Sequence, residues 1–476
     1  MIATILIFPI IACFLLLFIK NKFFANLMVN LYAIVHFALS LLLVFNLAEA
    51  KSIPYFGIDN LNGLFLLVLS FIFLMVAIYN NGYVKNFGQL DKKINKYSLM
   101  VLIFVFSMTG AILAQNLGIA WIFIEATTLS SAYLIYFNKT KHSIEAAWKY
   151  VFICSIGIAL AFVGIIFLNI GQGELNTLDF TQLYKYAKNF DPFWLKLSFV
   201  FMLFGFGTKM GLAPVHFWLP DAHSEAPSPI SALLSATLLN SAFLIIIRVF
   251  KILNIMGVDE WAKTMLYIMG ILSIFVTAVF VYHIKNYKRM LAYSSIENMG
   301  ILALGTAIGG GAIYAVILHI IGHSLAKASF FLTSGNVLEL FETKRIKSVK
   351  GLNIADSKTA WLWIVSFLGI CAFPTSLLFI SEFLIIKTMF LNKQYIICAL
   401  FVILLTIILW GMGRVVISMS FGKLSDEKNA LIKNTKKKLC WVMYLPQIIM
   451  LILVFVLGVY IPPFLNDIIK LTITGF

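Results

Sequence analysis

Long apolar runs, each closed by a short polar stretch, recur from one end of the chain to the other. They cover roughly residues 1–19, 24–48, 58–80, 97–115, 118–137, 146–170, 193–219, 229–250, 262–284, 290–308, 312–338, 360–390, 394–418 and 440–461. A bilayer span needs about 20 such residues. The pattern therefore predicts an all-α polytopic membrane protein with about 14 transmembrane helices. Very short turns join spans 4 and 5 and spans 10 and 11, so each pair is antiparallel; Gly309-Gly310-Gly311 supplies the second turn.

Two spans are interrupted, span 7 at Gly211-Leu212-Ala213-Pro214 and span 12 at Cys371-Ala372-Phe373-Pro374. Proline removes a backbone donor. In lipid the freed carbonyl is tolerated only where protein or a wet cavity covers it. The breaks lie five spans apart. Five is odd, so two five-helix units would be inverted relative to each other. The predicted organisation is 1–96 for helices 1–3, 97–251 for a first inverted repeat of helices 4–8, and 262–418 for a second of helices 9–13. A basic loop and helix 14 fill 419–476. Matched broken helices in inverted halves point to a transport site. A plain proline kink is the alternative reading of either break alone.

Composition agrees. The chain is 61% hydrophobic and 12% charged, with a mean hydropathy of +0.97, whereas about a quarter of a soluble domain is charged. The first run starts at Met1 with no basic segment before it and no small-residue cleavage site after it, which predicts a retained helix. Of 36 basic residues, 22 fall in connections after odd-numbered spans and 7 after even-numbered ones. The positive-inside rule then puts the odd connections in the cytoplasm and both termini outside. The net charge of +16 is largely this topology signal. It is not gathered on a soluble domain, so a nucleic-acid partner is not expected. Asn138-Lys139-Thr140 matches a glycosylation acceptor but falls in a predicted cytoplasmic loop. The five cysteines are scattered without metal-ligand spacing, and no haem, iron–sulfur or phosphate-loop motif is present. No cofactor, no metal and no catalytic site of the chain's own are expected.

Seven basic residues remain in or at the edges of spans: Lys149, Lys196, Lys209, Arg248, Lys327, Lys387 and Arg414. Glu125, Glu297 and Glu382 are the acids within apolar runs. An ionisable group at mid-membrane costs at least about 2.5–3.5 kcal/mol, and such groups normally pair or line a wet path. Lys209, at the first break, is expected to pair with Glu125. Desolvation and a carboxylate partner act oppositely on a lysine's proton affinity, which suits a relay; a static ion pair is the alternative. His319, His323 and Lys327 recur every fourth residue and share one helix face. Histidine's ordinary pKa near 6.5 suits proton transfer. Metal ligation is the rival reading, but it lacks a third ligand nearby. Glu382, eight residues beyond Pro374, is the expected acid of the second break. Glu297 reads equally as a relay group or a helix-end residue. Asp221, His223 and Glu225 fall in a Pro-rich turn after the first break. They read as a proton port or as turn and capping chemistry.

Three stretches, "PVHFWLPDAHSEAPSPISALLSA", "KRMLAYSSIENMGI" and "HSLAKASFFLTSGNV", resemble the antiporter-like membrane subunits of respiratory complex I, Mrp-type sodium/proton antiporters and membrane-bound [NiFe]-hydrogenases. "WIFIEATTLSSAYLI", "SIEAAWKYVFICSIGIALA" and "LLNSAFLIIIR" are most similar to the hydrogenase-4 branch of that superfamily, whose complexes are of formate hydrogenlyase type. The resemblance implies a 14-helix fold with two inverted repeats in a prokaryotic inner membrane. It implies a proton relay through Glu125, Lys209, His319, His323, Lys327 and Glu382. It also implies partners: other membrane subunits and a hydrophilic, hydrogenase-like redox arm, with membrane lipid around them. The transported ion would be H+, with Na+ the alternative if the chain is instead an Mrp-type subunit. One position departs from the family pattern. Asn240 stands where many members have a lysine linking the two halves, and asparagine binds water but holds no proton. A scaffold that has lost transport is the third reading, against which the retained intramembrane charges weigh.

Overall fold

The structure is a computed structural model that describes residues 1–19, 21–46, 52–86, 94–423 and 439–473. Predicted loop lysines such as Lys20, Lys51, Lys92, Lys93, Lys428, Lys433 and Lys436 to Lys438 lie outside the described residues, as does most of the basic loop of 419–476. The described chain is helical: α1 (Ile2–Phe18), α2 (Lys22–Phe45), α3 (Asn60–Asn86), α4 (Ile94–Leu113), α5 (Leu117–Ile135), α6 (Lys141–Gly171), the short α7 (Phe180–Tyr186) and α8 (Pro192–Met210). Then come α9 (Trp218–Glu225), α10 (Ser228–Met256), α11 (Asp259–Val281), α12 (Tyr287–Ile308), α13 (Gly311–Phe341), the one-turn α14 (Leu352–Ala355), α15 (Ser357–Ile370) and α16 (Leu377–Leu391). The last three are α17 (Tyr395–Phe421), α18 (Leu445–Val459) and α19 (Pro463–Ile473). Each apolar run became a helix, and the two interrupted runs became the pairs α8/α9 and α15/α16.

Helix starts follow local chemistry. Asn116, Asp191, Asn286 and Ser376 cap α5, α8, α12 and α16 through side-chain oxygens, and Thr140 with Ser143 closes a capping box on α6. Each cap satisfies backbone N–H groups that have no partner inside the helix.

Packing sorts the helices into centre and perimeter. The apolar windows of α10 and α13 are wholly buried, whereas that of α17 is one-third buried. Small residues let backbones approach where lipid gives helices no hydrophobic reason to associate. A Cβ on Gly205 would stand 2.6 Å from the Gly157 carbonyl, so α6 and α8 nearly touch. A Cβ on Gly300 would stand 2.7 Å from the Gly270 carbonyl, which locks α11 to α12 in the same way. α10 contains a π-turn over Leu234–Leu238. Such a turn redirects a carbonyl from the ladder, and the Ala236 oxygen here accepts from Asn240 Nδ2 at 2.8 Å and Ser324 Oγ at 2.9 Å.

Candidate functional site

The backbone of the first break is bonded within the protein. α8 stops at Gly211, whose φ of 82° is left-handed, a conformation that suits glycine. The next backbone donor is recovered from another helix: Ala213 N–H donates to Ser273 Oγ at 2.9 Å. The Trp218 indole N–H reaches back to the Thr208 carbonyl at 2.7 Å. Gly211, Leu212, Ala213 and Trp218 are buried. Lys209 lies in the last turn of α8, fully buried, where the negative end of the helix dipole favours a cation.

The expected direct pairing of Lys209 with Glu125 is not what the structure shows. Lys209 Nζ donates to the Tyr150 hydroxyl at 3.0 Å and to Thr127 Oγ1 at 3.5 Å. Glu125 is only half-buried. It accepts from Thr128 Oγ1 at 2.9 Å and Ser155 Oγ at 3.3 Å. The reason is rotational. Thr127 and Ser131 face the interior of α5, while Glu125 turns toward its outer flank beside the exposed Leu129. Glu125 still acts on Lys209 through space.

His319, His323 and Lys327 are fully buried on α13. His319 bonds Ser381 through Nδ1 at 2.9 Å and Asn298 through Nε2 at 3.1 Å. Neither ring nitrogen of His323 has a hydrogen-bond partner in the protein. Lys327 Nζ donates to the Leu291 carbonyl at 3.0 Å. That carbonyl also accepts from Ser295, whose hydroxyl meets Ser235 of α10 at 2.7 Å. Glu297 is buried on α12 and is the carboxylate acting on Lys327 through space. It lies in the middle of α12, not at a helix end. Glu382 is half-buried and feels Glu297 in turn. Among the described residues, neither Lys209 nor Lys327 has a carboxylate within 4.0 Å, and no group of three His, Cys, Asp or Glu is placed to hold a metal ion.

Asn240 links α10 to α13. Its Nδ2 donates to Ser324 Oγ at 2.8 Å, between His323 and the Lys327 turn. Pro214 and Pro374 sit at the breaks as expected, both exposed.

The predicted Pro-rich turn carrying Asp221, His223 and Glu225 is instead the helix α9. Pro220 falls in its first turn, where its missing N–H costs nothing. The helix also separates the three residues. Asp221 bonds Arg289 at 2.9 Å and Lys149 at 3.3 Å, and Glu225 bonds Lys344 at 2.9 Å. Both acids line a cavity of about 690 Å³ with Glu145, His283 and Tyr293. His223 points the other way. It is buried, stacked 5.3 Å from the Phe331 ring, with neither ring nitrogen partnered in the protein. A second polar cavity, of about 970 Å³, opens at the opposite end of α10. There the buried Arg248 bonds Asp59 at 2.6 Å and the Ala114 carbonyl at 3.2 Å.

Sequence reasoning passed over Tyr150, Asn298, Ser381 and the Asp59–Arg248 pair. Tyr150 and Asp59 were legible only as a polar-tipped aromatic in an apolar run and an acid at a span start. Asn298 was signalled by its place next to Glu297.

The family described as NADH:quinone oxidoreductase/Mrp antiporter, transmembrane, matches residues 114–409, which include both breaks. A hydrogenase-4 component F homolog of Methylacidiphilum infernorum is 33% identical over 475 residues, 97% of this chain and 96% of that protein. Among solved structures, a chain of a membrane-bound sulfane sulfur reductase, an archaeal respiratory membrane complex, superposes with a TM-score of 0.87. It is 21% identical and covers 100% of this chain and 97% of its own. A chain of the Mrp complex from Dietzia sp. DQ12-45-1b superposes with a TM-score of 0.83 at 15% identity, covering 100% of this chain and 96% of its own.

Proposed function

Because the chain belongs to the NADH:quinone oxidoreductase/Mrp antiporter transmembrane family, and is an antiporter-like, proton-translocating type of membrane subunit, we propose that it moves protons through the buried groups described above. One observation carries this reading. Lys209 and Lys327 are fully buried, yet each is held by neutral oxygens, not by an ion-paired carboxylate. Holding a lysine buried without an ion-paired carboxylate is costly, since an uncompensated buried charge is strongly destabilising. A lysine held by neutral groups, with an acid acting from a distance, can gain or lose its proton as that acid or its own side chain moves.

The relay runs in two halves. In the first, Lys209 exchanges with Glu125. In the second, Lys327, Glu297, His319 and Glu382 line the route toward the second break, and His323 is served by water, since buried polar groups are nearly always hydrogen-bonded. The halves meet at Ser324, Asn240 and the Ser235–Ser295 pair. His223 adds a titratable ring beside Phe331, which offsets the absence of a lysine at position 240. The cavity at Asp221 and Glu225 serves as the cytoplasmic port. The termini lie outside, and residues 97–251 and 262–418 are the inverted halves. The partner is a hydrophilic redox arm of hydrogenase type, together with neighbouring membrane subunits. Redox turnover in the arm drives charge movement here.

The test is proton uptake by inverted membrane vesicles holding the native complex, in sodium-free buffer, for wild type and Lys209→Ala with assembly checked in both. Loss of uptake in an assembled complex supports the reading. Undiminished uptake in the variant overturns the Lys209 path. Uptake that appears only when sodium is added points to sodium-coupled exchange.

A further inference from the structure

Tyr150 occupies the place at Lys209 that a carboxylate was expected to fill, and its neighbours Trp218 and Ser131 are themselves bonded in place. The ring packs on Trp218 with centroids 4.9 Å apart, and Trp218 is tied across the break to Thr208. The hydroxyl lies 2.7 Å from Ser131 Oγ. Ser131 itself donates to the Thr127 carbonyl at 2.5 Å. The phenol therefore donates to Ser131, which leaves its oxygen lone pair free to accept from Lys209 Nζ at 3.0 Å. The close approach of α6 and α8 at Gly157 and Gly205 sets this distance. The same helix, α6, presents Ser155 to Glu125 on its other flank. Two groups able to hold an ammonium thus stand against α6, the neutral phenol of Tyr150 and the Glu125 carboxylate bonded to Ser155.

We propose that Tyr150 is the latch of the first half-channel: a positioning residue that holds protonated Lys209 away from Glu125 until the helix break moves. In the latched state the ammonium donates to the phenol oxygen, the phenol to Ser131, and Ser131 to a backbone carbonyl. No proton changes owner. Release lets the side chain cross to Glu125, where an ion pair replaces the phenol bond. This inference rests on Lys209 being a transport residue and adds the element that sets its timing.

Tyr150→Phe removes the hydroxyl and keeps the ring against Trp218. A hydrogen bond to a charged group is worth about 1.5–3 kcal/mol, so the variant shifts the balance toward Glu125 by roughly tenfold or more. Proton uptake per redox turnover is measured in vesicles across roughly pH 5.5–8.5, a range that brackets the neutral operating pH of a proton-transfer group. The expected result is a severalfold loss of uptake with a displaced pH profile, in a complex that assembles and still turns over. Ser131→Ala, which withdraws the phenol's acceptor without touching Tyr150, is expected to displace the profile in the same sense by less. If Tyr150→Phe fails to assemble, the Ser131→Ala profile decides. Wild-type uptake and profile in the deciding variant, alongside a dead Lys209→Ala, overturn the latch and leave Lys209 on the path. Wild-type uptake in Lys209→Ala as well overturns the relay itself.

Discussion

The two helix breaks share a sequence signature and differ in almost everything else. The break after α8 is bonded across to other helices: Ser273 takes the Ala213 N–H and Trp218 reaches back to Thr208, and Gly211, Leu212 and Ala213 are buried, although Pro214 and Phe217 are exposed. The break after α15 opens at the surface. Phe373 is 49% exposed, Pro374 and Thr375 are exposed, and two non-glycine residues, Ala372 and Thr375, take φ of 49° and 81°. Gly458 of α18 backs it closely, against the Thr375 carbonyl and Ser376. The lysines differ likewise. Lys209 ends a helix and is held by a phenol, whereas Lys327 lies inside α13 and is held by a carbonyl of α12. One break is therefore completed within the chain. The other is turned to the surface, with the Phe373 and Ser376 N–H groups bonded locally to the Leu368 and Phe373 carbonyls.

The sharpest way to break this contrast is Glu297→Gln. If the second half depends on Glu297 as the first depends on Glu125, proton uptake falls at least as far as a general acid–base group is worth, about 100-fold. Uptake near wild type in an assembled complex would show that Lys327 answers to Glu382 alone. Next comes packing. Gly205→Val drives a branched side chain into the α6 backbone, where nothing flexible can yield. It should cost about 1–3 kcal/mol, as overpacking does, read as a lower melting temperature of the purified complex; unchanged melting would mean the helices part easily. Ser273→Ala leaves the Ala213 N–H buried without a partner. The expected loss is about 1–3 kcal/mol, whereas Ser376→Ala, at the exposed break, should cost only about 1 kcal/mol as a lost cap. Equal losses would erase the difference between the breaks. Thr375→Gly relieves a β-branched residue held at positive φ, where strain runs to about 1–3 kcal/mol. It should raise stability slightly; a loss of uptake at the same time would mean the strain serves transport. Smallest is Asp221→Asn, which removes partly exposed ion pairs to Arg289 and Lys149 and should change stability by less than about 1 kcal/mol. Proton uptake should slow, with a weaker dependence on salt.

The spans, the two breaks and the short roll of charges worth explaining were all legible in the order of residues. They rest on the cost of placing polar groups in lipid, and that cost is additive along the chain and readable in one dimension. The likeness of three stretches to an antiporter-like family pointed the same way and is matched by the comparisons. Which group meets which was legible nowhere but in the packed bundle. Glu125 and Thr127 are two residues apart, yet they face opposite flanks of α5, and only the close contact of α6 with α8 delivers Tyr150 to Lys209. Glu297 became the acid of Lys327 because α12 and α13 fold back through a glycine turn. The acids of α9 were drawn to Arg289 and Lys344, while His223 of the same helix was turned inward. Hydropathy sets the depth of a side chain. Its partner depends on helix rotation and on how closely two backbones approach, and both are properties of the assembled helices, not of any one span.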